Sequence, residues 1–398
     1  MKSKSMSVTS KLVPAFAFLL GLAAVPRAQA QTFSVFHSFT GVSDGANPLN
    51  GLLIDGAGNL YGTTNYGGAS NNGVVFKLNK SGVETILHNF NGGTDGANPE
   101  GVLVRDKAGK LFGTTTAGGV SGAGTVFKVT EAGKESVLYS FTGATDGAVP
   151  EAGLIVDATG NLYGTTTAGG ANGNGTVFKL SPPKQKGAAW TEEVLYSFGT
   201  GTDGATPVAG VTFDATGNLY GTTSAGGAFG YGTVFQLTPS GSGWTESILH
   251  DFQNGDDGAV PYAGLISDRA GKFYGAATEG GTAGGGTVFE LTPATSGWTF
   301  TVVYSIPGWG ISGAFRDLIM DRGSLYGTTH CDGPYNAGTV YKLTRASGSW
   351  TYTSLYVFTG SSDGLYSFSN LVFRDGSIYG TTNQGGANGL GVVFEIAP

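Results

Sequence analysis

The stretch Asp157-Ala158-Thr159-Gly160-Asn161-Leu162-Tyr163-Gly164-Thr165-Thr166, followed by Ala168-Gly169-Gly170 and then Gly175-Thr176-Val177-Phe178-Lys179-Leu180, recurs along the whole 398-residue chain. Tyr-Gly-Thr-Thr ends at Thr64, Thr166, Thr223, Thr329 and Thr382, Leu-Phe-Gly-Thr-Thr closes at Thr115, and the altered Tyr274-Gly275-Ala276-Ala277 fills the gap. The glycines of the motif lie 51, 51, 57, 54, 52 and 53 residues apart, which makes seven units of a repeat architecture.

Within the quoted unit, short runs rich in β-branched and aromatic residues alternate with turn residues. Gly153-Leu154-Ile155-Val156 reads as a first strand and Asn161 to Thr166 as a second. Gly175 to Leu180 reads as a third and Glu193 to Phe198 as a fourth, with Asp157-Ala158-Thr159-Gly160-Asn161 as the first hairpin turn. No stretch carries a helical period. Four strands per unit and seven adjoining units predict an all-β, seven-bladed β-propeller with four-stranded antiparallel blades. The chain after the leader begins at Phe33-Ser34-Val35-Phe36-His37-Ser38-Phe39, which matches a fourth strand. It finishes at Gly391-Val392-Val393-Phe394-Glu395-Ile396, which matches a third. The N-terminal strand is therefore expected to complete the last blade, making one domain of residues 31–398.

Composition agrees. Glycine supplies 71 of 398 residues, about two and a half times the usual share, yet without the strict period of three or the proline content of collagen. Residues 1–30 read as a secretory signal peptide, with basic Lys2, Lys4 and Lys11, an apolar run from Leu12 to Val25, and Ala28-Gln29-Ala30 before cleavage at Gln31. That run is too short for a membrane span, and no other stretch is long and apolar enough. Without the leader, 17 basic residues face 28 acidic ones, an excess that argues against nucleic acid. A single cysteine, Cys331, leaves no internal disulfide.

The unit resembles the bacterial GloVer tandem repeat: Asp-x-x-Gly-Asn-Leu-Tyr-Gly-Thr-Thr, Gly-Gly, Gly-Thr-Val-Phe-Lys-Leu, Leu-Tyr-Ser-Phe and Thr-Asp-Gly-Ala, present at Asp157–Leu180 and Leu195–Ala205. The resemblance covers the chain beyond the leader and implies a secreted or surface protein; it carries no reaction with it. Because the repeats run to Pro398 with no sorting signal or anchoring helix after them, free secretion or a periplasmic location is expected rather than surface attachment.

In a propeller the fourth-to-first and second-to-third connections open on one face, and here they carry Thr-Asp-Gly-Ala-x-Pro and Thr-Thr-x-x-Gly-Gly. Six Asp-Gly pairs, at Asp44, Asp95, Asp146, Asp203, Asp257 and Asp363, invite calcium as one reading and local backbone capping as another; six equivalent copies favour capping. His37, His88 and His250 stand where Tyr139, Tyr196, Tyr304 and Tyr356 stand in other fourth strands, and read as packing substitutes. Trp190, Trp244, Trp298 and Trp350 precede fourth strands and read as packing caps at the blade edge.

Candidate site residues are those that break the copy. Two places before the end of Gly-Gly stand Tyr66, Glu279, Cys331 and Gln384 where blades two to four have alanine. At the start of the first strand stand Asp317 and Asn370, with Asn50 and Arg316 beside that position in blades one and six. Blade six departs furthest, with Trp309 in its altered loop and His330-Cys331-Asp332-Gly333-Pro334-Tyr335 in place of the alanine-glycine register. Tyr66, Glu279, Trp309, Arg316, Asp317, His330, Asp332, Tyr335, Asn370 and Gln384 are therefore expected to gather as a binding site at the channel mouth along blades five to seven and one. The expectation is a monomeric, secreted binding or scaffold module for a glycan or an extracellular protein, with no cofactor and no assigned metal or catalytic residue. A carbohydrate-active hydrolase or lyase using Asp317, Asp332, Glu279 and His330 is one alternative, and a purely structural envelope component is another.

Overall fold

A computed structural model describes residues 31–398, apart from Ser242 and residues 309–312; the proposed leader at 1–30 and Trp309 lie outside the described residues. Seven small antiparallel sheets form a seven-bladed β-propeller, and the described residues contain no helix. Blade three shows the plan: Ile155–Val156, Leu162–Thr166, Thr176–Ser181 and Thr191–Ser197 pair in that order. The last blade is closed as its ends imply. Thr32–Ser38 pairs with Val392–Ala397, with Thr32 opposite Ala397 and Ser38 opposite Val392.

The repeated motif acquires a mechanical meaning. Gly164 lies opposite Phe178 of the third strand, and a Cβ there would sit 2.8 Å from both Phe178 Cζ and Leu154 Cδ2, so glycine makes room for the phenylalanine that fills each blade. The first threonine ties blade to blade. Thr165 Oγ1 donates 2.9 Å to the Ala209 carbonyl of the next blade, Thr114 to Ala152, Thr222 to Ala263, and Thr381 carries the pattern across the ring closure to Asn50. The second threonine stays within its blade, as Thr166 Oγ1 and Thr176 Oγ1 lie 2.9 Å apart. In blade five both positions are alanine, Ala276 and Ala277.

The Asp-Gly loops prove to be backbone caps joined to the outer strands. Asp146 accepts from Thr142 N at 2.8 Å and from Tyr139 Oη at 3.0 Å; Asp363 accepts from Thr359 N and Tyr356 Oη; Asp44 accepts from Thr40 N, Thr40 Oγ1 and Gly41 N. A bulge interrupts each fourth strand at the tyrosine or histidine, and in six blades that residue faces an Asp-Gly aspartate. Three of the tryptophans meet rings at blade junctions: Trp190 packs on Phe112, Trp298 on Tyr220 and Phe273, and Trp350 on Tyr274.

The residue before the loop proline adopts left-handed backbone in five blades, at Asn47, Asn98, Val149, Thr206 and Val260, and Tyr366 before Ser367 does the same, with φ between 54° and 59°. Asparagine tolerates this conformation; β-branched valine and threonine do not.

Candidate functional site

The mouth of the central channel is built from the residues just after that turn, where the chain leaves the loop and enters the first strand. The same bridge holds each loop pair together: Ala148 N donates 2.8 Å to Ala168 O, Ala259 N to Glu279 O and Leu365 N to Gln384 O. This repeated scaffold fixes the backbone while leaving one side chain per blade free to differ. That position holds Leu49 and Val208 in blades one and four, Glu100 and Glu151 in blades two and three, and Tyr262, Phe315 and Phe368 in blades five to seven. One side of the mouth is thus acidic and the other aromatic.

On the aromatic side, Phe315 lies 5.3 Å from Tyr262 and 5.2 Å from Phe368, ring centre to ring centre. His330 completes the cluster, stacked 4.5 Å from Tyr366 and tilted 41° to Phe368 at 4.4 Å. Burial drives the His330 imidazole down to about 4, so it is neutral at pH 7, and its Nδ1 is buried without a hydrogen bond. On the acidic side, burial raises the carboxyls of both Glu100 and Glu151; the Glu151 charge raises Glu100 further, while Arg316 draws both down. Asn65 Nδ2 donates 2.8 Å to Glu100 Oε1. Burial also raises the Tyr262 hydroxyl, with Glu151 and Glu279 adding to the rise and Arg316 opposing it, so these four groups share one electrostatic neighbourhood.

Below the rim lies a cavity of about 190 Å³ lined by Asn50, Tyr262, Arg316, Asp317 and Asn370 among others. Asp317 spans it: Gly264 N donates 2.6 Å to Oδ1 and Asn370 Nδ2 donates 3.1 Å to Oδ2. Arg316 Nε donates to the Leu49 carbonyl at 3.4 Å. Asn50 Nδ2 and Asn370 Oδ1 are buried with no hydrogen bond, one donor and one acceptor available to a small polar guest.

The residues singled out in the sequence therefore separate. Arg316, Asp317 and Asn370 line the channel cavity, Glu279 acts on Tyr262 above it, and His330 sits in the aromatic cluster. Asp332 does not join them. It turns into blade six, where Thr329 Oγ1 donates to its carboxylate, and it lines a different cavity with Cys331, Asn336 and Tyr366. Burial raises its carboxyl. Asp317 and Asp332 thus line separate cavities. Tyr335 is exposed on a loop whose Gly333 lies over Val357 of the outer strand; Phe315, Tyr366 and Phe368 supply the aromatic surface instead. Tyr66 and Gln384 are exposed on the same face, each bridged through its backbone to the Asp-Gly loop. Glu100 and Glu151 escape a reading of the first-strand entry, two residues further on at Val102 and Gly153, and of the second-to-third loop. Reading the residue after Pro48, Pro99, Pro150, Pro207 and Pro261 would have found them.

The chain matches the family described as the Gloeobacter/Verrucomicrobia repeat over residues 25–215, 155–320 and 210–398. No curated protein matches it. Among solved structures it is similar to the extracellular domain of a one-component system from B. thetaiotaomicron, at 12% identity and TM-score 0.56, over 92% of this chain and 42% of that one. It thus spans less than half the length of that protein. A polysaccharide lyase solved with an ulvan fragment gives 10% identity and TM-score 0.53, over 90% and 95% of the two chains. A Bacteroides uniformis protein described as a 6-phosphogluconolactonase gives 14% and 0.53, over 84% and 94%. At these identities the likeness is one of fold.

Proposed function

We infer that this chain, which belongs to the Gloeobacter/Verrucomicrobia repeat family, is a secreted binding module that takes a glycan at the channel mouth. The observation that carries this reading is the division of the mouth into an aromatic side of Tyr262, Phe315, Tyr366 and Phe368 and a polar side of Glu100, Glu151 and Arg316. A pyranose ring has the same division. Its C–H face stacks on aromatic rings, and its hydroxyls exchange hydrogen bonds with carboxylates, amides and guanidinium. Asp317 and the uncommitted amide atoms of Asn50 and Asn370 extend the polar surface into the channel. Secretion rests on the leader at residues 1–30; N-terminal sequencing of exported protein should begin at Gln31.

The test is a glycan array run with the natural chain, a Phe315→Ala/Phe368→Ala variant and a Glu100→Gln/Glu151→Gln variant. A signal from the natural chain that falls at least tenfold in both variants supports the reading. Signals equal in all three remove the mouth from consideration.

One observation favours a second reading, a carbohydrate-active enzyme. Glu100 and Glu151 are adjacent around the ring and both raised, the condition in which one carboxyl keeps a proton to give while its neighbour is ionised. Shortening of a bound oligosaccharide that disappears in Glu100→Gln while binding persists would select it.

A further inference from the structure

Away from the mouth, every blade junction contains a second repeated position. It joins the fourth-strand tyrosine or histidine, one residue of the next blade's fourth strand and, at every junction but that of Tyr304, the Asp-Gly aspartate. At three junctions that third residue is an aromatic ring stacked on the first: Phe300 on His250, Tyr352 on Tyr304 and Phe33 on Tyr356. At the other four it is a glutamate, Glu84, Glu135, Glu192 or Glu246, each with a buried Oε1 that has no hydrogen-bond partner. Where the first residue is tyrosine, its hydroxyl satisfies the aspartate. Where it is His250, Nε2 meets Asp257 at 3.0 Å.

Two junctions leave a histidine Nε2 buried without a hydrogen bond beside such a glutamate: His88, 3.4 Å from Asp95 Oδ2, between blades one and two, and His37 between blades seven and one. His37 Nε2 stands 3.7 Å from Asp44 Oδ2 and 3.7 Å from Glu84 Oε1, too far to hydrogen-bond either, and both Nε2 and Oε1 are buried without a hydrogen bond. Among the described residues, this is the one set of three such side chains whose donor atoms all lie within 4.8 Å of one another. Two carboxylate oxygens and an imidazole nitrogen around a tetrahedral zinc-like ion stand about 3.4 Å apart, given metal–ligand bonds of about 2.0–2.2 Å, so the two sides that meet at His37 need close by only about 0.3 Å, and the third starts within 4.8 Å. The Asp44 carboxylate is already oriented by Thr40 N at 2.9 Å and by Gly41 N at 3.1 Å, and its Oδ2 keeps a lone pair free. The three side chains are 17%, 11% and 13% exposed, enough for a small ion to reach them and leave with a water in the fourth position.

We propose that His37, Asp44 and Glu84 form a binding site for one divalent transition-metal ion of the zinc type at the junction of blades seven and one. His37 lies on the N-terminal strand that completes the last blade, and Glu84 lies on blade one. All three ligands come from residues 37–84, so the ion fastens the N-terminal strand of blade seven to the outer strand of blade one. The imidazole and the tight donor triangle select a transition metal over calcium, which takes six to eight oxygens.

The repeat itself supplies a variant that folds. Tyrosine occupies the His37 slot in blades two, three and six, so His37→Tyr keeps the junction packed, gives Asp44 a hydroxyl partner and removes the nitrogen ligand. The experiment titrates chelator-treated protein, residues 31–398, with Co²⁺ and follows tetrahedral d–d absorption, then displaces the ion with Zn²⁺ and records the melting temperature. One Co²⁺ per chain is expected, displaced by Zn²⁺, with a higher melting temperature in metal. Affinity should fall at least tenfold in His37→Tyr and in Glu84→Gln, and be unchanged in His88→Tyr at the neighbouring junction. Absence of the tetrahedral bands in the natural chain, or binding that survives His37→Tyr, overturns the proposal.

Discussion

The glutamates at the other junctions make the stability of this ring fall as pH rises, against the usual expectation for an acidic protein. Glu135, Glu192 and Glu246 sit half-buried beside Asp95, Asp146 and Asp203. Burial, with those charges adding to it, raises each carboxyl to about 7. A folded-state value above the unfolded one means that the folded chain binds more protons between them, so each group favours folding fully only below the ordinary carboxylate range. That contribution is lost as pH climbs through about 7. Below about 6.5 the buried, neutral histidines oppose the trend, because the unfolded chain then takes up protons that His37, His88, His250 and His330 resist. The window in which the glutamates act unopposed is therefore pH 6.5–8.

The variant Glu192→Gln isolates the effect. Carried in full, the rise to about 7 corresponds to about 3 kcal/mol against the ionised form; partial exposure and solvent screening bring this to about 1 kcal/mol. Urea unfolding followed by far-ultraviolet circular dichroism should find Glu192→Gln about 1 kcal/mol more stable than the natural chain at pH 8 and equal to it near pH 4.5. The three sites lie in separate blades, so Glu135→Gln/Glu192→Gln/Glu246→Gln should gain about 3 kcal/mol at pH 8. A variant less stable than the natural chain at pH 8, or a difference that does not change with pH, would refute the reasoning.

Other consequences concern the repeat. Val149→Asn should stabilise by about 1–2 kcal/mol, because asparagine accepts φ of 55° and, as Asn98 does with Asn65, can donate to the preceding blade; an unchanged melting temperature would contradict this. Thr165→Val keeps shape but strands the buried Ala209 carbonyl, and should cost about 1–3 kcal/mol, with faster hydrogen exchange at the junction of blades three and four. Gly164→Ala presses a methyl against Phe178 and Leu154 and should cost about 1–3 kcal/mol in the same unfolding assay. Deleting residues 31–38 removes the strand paired with Val392–Ala397 and the Phe33 ring stacked on Tyr356; a single cooperative melt at the original temperature would show that closure does not hold the ring.

Periodicity made the architecture legible, because Gly164 facing Phe178 and Thr165 reaching Ala209 are needs that every blade shares and the chain states them seven times over, with two lapses at Ala276 and Ala277. The caps were legible for the same reason: six aspartates meeting six similar loops describe a device of the fold. The site was only partly legible. Arg316, Asp317 and Asn370 stood out as exceptions to glycine or small residues and do line the channel. Asp332 stood out equally and turns inward, because exception in sequence does not reveal the direction of a side chain on an irregular loop. The glutamate–aspartate pairs were invisible, since their members come from different blades and meet only when the ring is closed.

These outcomes share one physical cause. The load of holding the ring is carried by backbone bridges, threonine clasps and buried phenylalanines, all at invariant places in the repeat. The mouth position two residues before the first-strand entry carries none of it: leucine, valine, glutamate, tyrosine and phenylalanine all occur there. A position that can change without cost to the fold is where a repeat protein can differentiate. At this one the acids fall together in blades two and three and the aromatic rings together in blades five to seven. Drift at an unselected position would scatter the two classes around the ring; a ligand with one polar and one apolar side requires that they be sorted, as they are.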